Sequence, residues 1–345
     1  MNPLTAGQLP RWAPWAIGAG SVLVSVLVSW PLVGGFSLGA VVALSLAVYL
    51  VGIVTASSSV EGSRRAVDRL AGSVVVGMFL LALLPLVSVT FTTLARGLQR
   101  FDLQFFTWSM RNVVGDGGGA VHAIYGTLWV TGAASLISVP IGLLTAVYLA
   151  EYGRGALARG ITFFVDVMTG IPSIVAGLFA YALVSLIAGP GTVIGFSGAI
   201  ALSVLMIPVV VRSTEELLRI VPNELREASY ALGVPKWKTI MRIVIPTAIS
   251  GIVSGVILAI ARIIGETAPL MVAAGFTQSV NSNLFSGQMM TLPVFVYDSY
   301  AHPGIPREPY EARAWAGALT LIVIVMLLNL IGRVIAKRFA PKTGR

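Results

Sequence analysis

The chain has 345 residues, of which 56% are hydrophobic and only 11% charged, with a net charge of +9. A soluble domain carries about 25% charged residues, so a soluble globular protein is excluded. The chain contains no cysteine, which removes disulfides, thiol catalysis and cysteine metal sites, and in a protein this apolar the basic excess reads as loop charge facing one side of a membrane rather than as a nucleic-acid surface.

Apolar runs long enough to span a bilayer recur along the chain and predict eight spans: 15–33, 36–56, 70–94, 123–150, 161–188, 193–211, 244–270 and 312–334. The expected fold class is all-α, a polytopic membrane protein. The N-terminal stretch beginning at Trp12 is too long for a signal-peptide core and is read as a retained helix. Pro85, Pro140, Pro172 and Pro208 fall inside predicted spans, where neighbouring groups are expected to re-satisfy the freed carbonyls. With both termini placed in the cytoplasm, most of the 23 basic residues lie inside. Arg96, Arg100, Arg111, Arg307 and Arg313 lie outside, and Arg262 lies within a span. Residues 1–60 give two spans without a motif or an intramembrane charge. The polar segment "EGSRRAVDR" (61–69) is the expected domain boundary, with 61–345 as the functional core.

Between two apolar runs stands a polar block, 222–234. Pro222 sits at its expected start and Gly233 past its end. Leu225, Ala228 and Leu232 fall on one face and Glu224, Arg226, Glu227 and Tyr230 on the others, which predicts a short amphipathic helix of about three turns. From pattern alone such a helix packs on its own protein, lies on the membrane, or enters a partner's groove. In "EASYALGVPKWKTIMRIVIP" the residues Glu227, Ala228, Gly233, Ile243 and Pro246 are spaced as in the EAA loop of ABC importer permeases, which this block resembles; Ser229 and Ile245 depart mildly from that pattern. The resemblance implies a coupling helix inserted into a groove of a cytoplasmic ATPase subunit. Its docking residues would be Leu225, Glu227, Ala228, Leu232 and Gly233. No G-x-x-x-x-G-K-[ST] phosphate loop is present, so this chain is not itself the ATPase.

The next feature is "ILAIARIIGETAPLM" (257–271), with Arg262 and Glu266 four residues apart in an apolar run. An arginine near the bilayer centre costs about 2.5–3.5 kcal/mol on insertion scales. An i,i+4 pair in this order returns only about 0.2–0.5 kcal/mol. Helix stabilisation therefore does not account for these charges, which leaves a structural interhelical pair or an anion site. In the anion reading, Glu266 holds Arg262 in the empty state and an arriving oxyanion displaces it, because the guanidinium fork matches phosphate oxygens. Arg262 shares a stripe with Gly251, Gly255 and Leu258 that is expected to face protein or water, and Pro269 is expected to break the helix.

"AVYLAEYGRG" (147–155), "IPSIVAGLFAY" (171–181), 207–238 and "LAIARIIGETAPL" (258–270) are together similar to the PstA-type permeases of phosphate-specific ABC importers, over roughly 65–338. That resemblance implies a type I, MetI-like permease core in a bacterial inner membrane, with two additional N-terminal helices here. It implies inorganic phosphate as substrate and Arg262, Glu266 and Thr267 at the path. The implied partners are a homologous permease in a heterodimer, two copies of a cytoplasmic ATPase that uses ATP and Mg, and an extracytoplasmic phosphate-binding protein. The chain itself would be no enzyme and would hold no cofactor.

Three other functions are weighed against this one. A stand-alone anion channel or secondary phosphate transporter explains Arg262 but leaves the polar block unused. A membrane-embedded phosphate esterase lacks a nucleophile or metal cluster, since the only histidines are His122 and His302, both assigned to outer loops. A role in phosphate sensing is carried by no residue. Of the remaining features, Asp166 is read as reaching to the interface, "GDGGGA" (115–120) as a flexible linker, and "MMTLPVFVY" in the loop 276–310 as an interfacial helix that touches a binding protein.

Overall fold

A computed structural model describes residues 8–10, 12–33 and 38–339, and every regular element among them is helical. Seven helices are long and apolar enough to cross a membrane. They are α1 (Ala13–Val33), α2 (Leu38–Val60), α3 (Ser63–Gly97), α5 (Val121–Val147), α8 (Gly195–Ile220), α11 (Ile245–Ile263, continuous with the turns from Lys236) and α14 (Glu308–Phe339). The eighth predicted span, 161–188, is instead two helices, α6 (Gly155–Thr169) and α7 (Ser173–Ala188), bent by 109°. Pro172 forms the cap of α7, with ψ of 136°. It has no N–H to give and drives Ile171 out of the helical region, while Gly170 adds no side-chain packing across the break. Pro85, Pro140 and Pro208 lie within continuous helices, as expected.

Contacts divide the chain into two compact units, Met1–Phe91 and Thr92–Arg345. In the first unit α1 packs antiparallel on α2. Gly52 admits the Ile17 side chain, and Ser21, Ser25, Ser29 and Ser57 are buried with their hydroxyls bonded. Small residues let membrane helices approach closely. The α2–α3 turn is tied by Glu61, whose carboxylate takes Arg69 in two bonds, Ser57 Oγ at 2.7 Å and the Leu9 N–H at 2.8 Å.

In the second unit α5 and α8 form the central pair. Gly142 receives Val210, Gly198 receives Val130, and Val130, Ala134, Leu202, Met206 and Ile263 continue the buried core. Two segments read as surface features belong to this packed unit. Met289, Met290 and α13 (Leu292–Ala301) are buried against α5 and α14, and the Leu292 N–H donates to Thr127 Oγ1 at 2.7 Å. The stretch expected to meet a binding protein is therefore largely core, with Met289, Met290, Leu292, Val294 and Phe295 in the main buried cluster. The glycine loop 115–119 is not a free linker either. Buried Arg313 donates to the carbonyls of Gly115 (2.7 Å) and Gly117 (3.0 Å), and Arg100 to that of Gly118 (2.8 Å). Gly119 must be glycine, since a Cβ would stand 2.5 Å from the Phe105 carbonyl oxygen. His122 lies in α5, buried against the Phe295 ring, and His302 meets Asp298 at 3.4 Å.

Candidate functional site

The polar block folds as α9 (Asn223–Ala231), two and a half turns. Pro222 caps it rather than opening it, and Gly233 reverses the chain with φ of +75°, its N–H bonded to the Tyr230 carbonyl. Glycine suits this position because it enters the left-handed region without a Cβ penalty. The expected apolar face points away from this chain: Leu232 is 83% exposed, Leu225 is 40% exposed, and Glu227 and Ala228 are exposed too. Glu227 has no bonded partner among the described residues. Of the three readings open to an amphipathic helix, packing on its own protein is thus disfavoured.

The bonds that hold α9 come from Arg226, just before the quoted motif, and from Ser229, Lys236 and Thr239 within it. Arg226 bonds Glu151 at 2.7 and 3.2 Å and also donates to the carbonyls of Leu218 and Val221. Glu151 is almost wholly buried, at 4% side-chain exposure. It sits in a wide helical turn, Tyr148–Tyr152, that extends α5. Lys236 binds the Glu151 carbonyl and lies 4.7 Å from the Tyr152 ring. Ser229, the single buried residue of α9, shares a 2.8 Å bond with Thr239 Oγ1. The one departure from the small apolar pattern is thus the residue that fastens the helix to α10 (Lys236–Thr239). A second wide turn, Ile240–Val244, follows. Such turns break the regular ladder and concentrate at functional places. Asp166, read as reaching for the interface, instead pairs with Arg212, and buried Glu215 takes Arg212 at 3.2 Å and Arg219 at 2.7 Å.

At the far end of α11 the chain turns through 264–267 into α12 (Ala268–Ala273). The helix ends before Pro269, which starts α12 instead of breaking α11. Arg262 is exposed in the last turn of α11, while Glu266 and Thr267 are half-buried in the connection. The expected Arg262–Glu266 pair does not form. The helix stops between them, so the one-turn spacing is lost, and neither has an ion-pair partner among the described residues. The shared stripe is covered only in its first half: Gly251 and Gly255 pack on Leu217 and Ser213 of α8, while Leu258 and Arg262 face outward.

These features define a multi-pass helical membrane protein with an outward-facing amphipathic helix at one end and the unpaired Arg262 and Glu266 at the other. Residues 138–345 match the family described as binding-protein-dependent transport system inner membrane component, and the chain belongs to that family. It is 47% identical over 275 residues to phosphate transport system permease protein PstA 1 of Mycobacterium tuberculosis, covering 79% of this chain and 88% of that one. It is 49% identical over 259 residues to the PstA protein of Mycobacterium leprae (74% and 83% covered) and 38% identical over 284 residues to that of Yersinia pestis (81% and 92% covered). Among solved structures, a chain of the inward-facing MetNI methionine ABC transporter superposes with a TM-score of 0.54 at 21% identity, covering 64% of this chain and 96% of that one. A chain of a bacterial alginate ABC transporter does so with 0.52 at 15% identity (81% and 97% covered). These two likenesses concern the fold, a MetI-like ABC permease.

Proposed function

We propose that this chain is a permease subunit of an ATP-driven importer that carries inorganic phosphate into a bacterial cell. The observation that carries the reading is α9: an amphipathic helix bonded to its own chain through Arg226 and Ser229 while Leu225, Glu227, Ala228 and Leu232 face outward. A docking helix must be rigid on one side and free on the other if motion is to pass through it. A lone channel or secondary transporter has no use for such a helix. The positive-inside bias puts α9 and both termini in the cytoplasm, where a separate ATPase, present in two copies, would bind ATP and Mg and receive α9 in a groove. An extracytoplasmic phosphate-binding protein would deliver the substrate at the opposite face.

Arg262, Glu266 and Thr267 are proposed to line the path. An unpaired arginine left to lipid within a span is costly, and no described residue of its own chain pairs with it. A homologous permease packed against the Ser254–Leu258–Arg262 stripe would remove that cost and enclose the guanidinium in a polar path. Its fork would then meet phosphate oxygens through charge-assisted bonds. Residues 1–60 would be an accessory pair beside the core 61–345. The chain is to be co-purified with its ATPase and reconstituted into liposomes with the phosphate-binding protein. The expected result is ATP hydrolysis and uptake that both require phosphate. Phosphate uptake that persists without the ATPase would refute the proposal in favour of a secondary transporter.

A further inference from the structure

At the α9 end of the second unit a cavity of about 340 Å³ opens between α6, α8 and the wide turn after α5. That volume is at the small end of ligand pockets, about 300–1,000 Å³. Arg159, Thr162, Phe163 and Asp166 line it from α6, and Glu215 and Arg219 from α8. The spacing of 159, 162, 163 and 166 places one face of α6 along the cavity wall. The two carboxylates are already engaged: Asp166 by Arg212, and Glu215 by both Arg212 and Arg219. Arg212 does not line the cavity but takes a share of both carboxylates, so the lining guanidiniums keep donors to spare. Arg159 is exposed and has no bonded partner among the described residues, nor has the Thr162 hydroxyl. Arg219 spends one bond on Glu215 and remains 66% exposed. The lining also has an apolar part, Leu149, Ala158 and Phe163, of which Phe163 is 71% exposed.

We propose that this cavity is a binding site for a phosphate group, held by Arg159, Thr162 and Arg219. Two guanidinium forks and a hydroxyl supply donors to an oxyanion, and the neighbouring bonded carboxylates fix Arg219 in place. Basic pockets between membrane helices near the interface take phosphorylated lipid headgroups, and the apolar part of the lining offers a seat for an acyl chain. The same donors fit inorganic phosphate arriving at this end. The second source rests on the import reading above; the first does not.

Phenylglyoxal, which modifies free guanidiniums, tests the site on the unaltered protein. The full chain with its partner subunits is placed in phosphatidylcholine nanodiscs, with or without inorganic phosphate, and in discs containing phosphatidylglycerol without phosphate. Modification rates of Arg159 and Arg219 are read by peptide mass spectrometry against exposed Arg154 and Arg242 in the same sample. Protection of roughly tenfold is expected once the probe stands at about ten times its dissociation constant. Protection by phosphatidylglycerol alone identifies a headgroup site, and protection by inorganic phosphate alone identifies a site for the transported ion. Unchanged rates at Arg159 and Arg219 with both probes overturn the proposal. In Arg159→Gln the protection of Arg219 is expected to fall severalfold while the rate at Arg242 stays constant. Phosphate uptake by the same preparation reads the import proposal separately.

Discussion

The two ends of the second unit treat charge in opposite ways. At the base of α9, three cations are consumed by partners of the same chain, while Glu227 and Arg159 stay outward: Arg226 by Glu151 and two carbonyls, Arg212 by Asp166 and Glu215, Lys236 by a carbonyl and an aromatic ring. Around the α11–α12 turn, Arg262 and Glu266 are one short segment apart and neither is engaged. Bonded charges fix geometry, and a part that transmits force requires fixed geometry. Unbonded charges at membrane depth persist only if something else supplies their partners. Under the proposed function, this contrast corresponds to a mechanical end and a ligand or subunit end within one chain.

The largest effect is expected where the mechanical end is cut. Arg226→Met leaves the Glu151 carboxylate buried without its partner, a loss of about 3–5 kcal/mol when such a pair is fully buried and less here, where Arg226 is partly exposed. Uptake per ATP hydrolysed should collapse while ATPase binding through the outer face of α9 persists. The double variant Arg226→Met, Glu151→Gln should recover part of it, because the stranded charge is gone. If the single and double variants behave alike, Glu151 and Arg226 do not form a strut. At the other end, Arg262→Gln removes a charge-assisted contact worth about 1.5–3 kcal/mol, so uptake by correctly assembled complex should drop by roughly 10–100-fold. Coupled ATP hydrolysis should fall with it. Wild-type uptake in this variant would remove Arg262 from the path. A smaller effect is expected for Ser229→Ala, which deletes the bond to Thr239: about 1 kcal/mol, read as a modest fall in coupling with phosphate affinity unchanged.

Much of this comparison was legible in the sequence and part of it was not, for identifiable reasons. Membrane residence, the helical class, seven of the eight spans and the place of α9 follow from apolar run length, from Pro222 and Gly233 as punctuation, and from helical spacing. The break at Gly170–Pro172 did not, because a proline in an apolar run is compatible with both a bent and a continuous span; Pro140 and Pro208 continue where Pro172 does not. The buried stretch 289–295 was misplaced because an apolar segment between polar loops looks the same whether it lies on a surface or fills a core. Glu151 escaped notice because its partner is 75 positions away. The available signal was a single acidic residue at the end of an apolar span, which rarely stands without a cation. Arg262 and Glu266 were found by their cost in an apolar run, but their pairing was wrongly expected, since spacing alone does not reveal that the helix stops between them.

The smallest expected effect lies in the first unit and extends the comparison to a third group of charges. Glu61 is as tightly held as Glu151: Arg69, Ser57 and the Leu9 N–H all converge on its carboxylate. It stands in the α2–α3 turn outside the spans, so its titration reads the local structure. The bond from Arg69 is the leading cause that lowers its pKa from 4.5 to about 2. A carboxylate depressed on folding contributes stability that is complete above its unfolded pKa and vanishes as pH falls through the folded one. The turn should therefore hold unchanged from neutral pH down to about 4.5 and loosen between there and about 2, with Arg69 charged throughout. Hydrogen-exchange protection over residues 57–69, taken as the intrinsic rate at each pH divided by the observed rate, should fall across that window in the wild type. In Glu61→Gln it should already be low at pH 7 and should show no further acid step from this group. A flat wild-type profile would mean that the turn is held by α1–α2 packing alone, and that this ion pair contributes little despite its geometry.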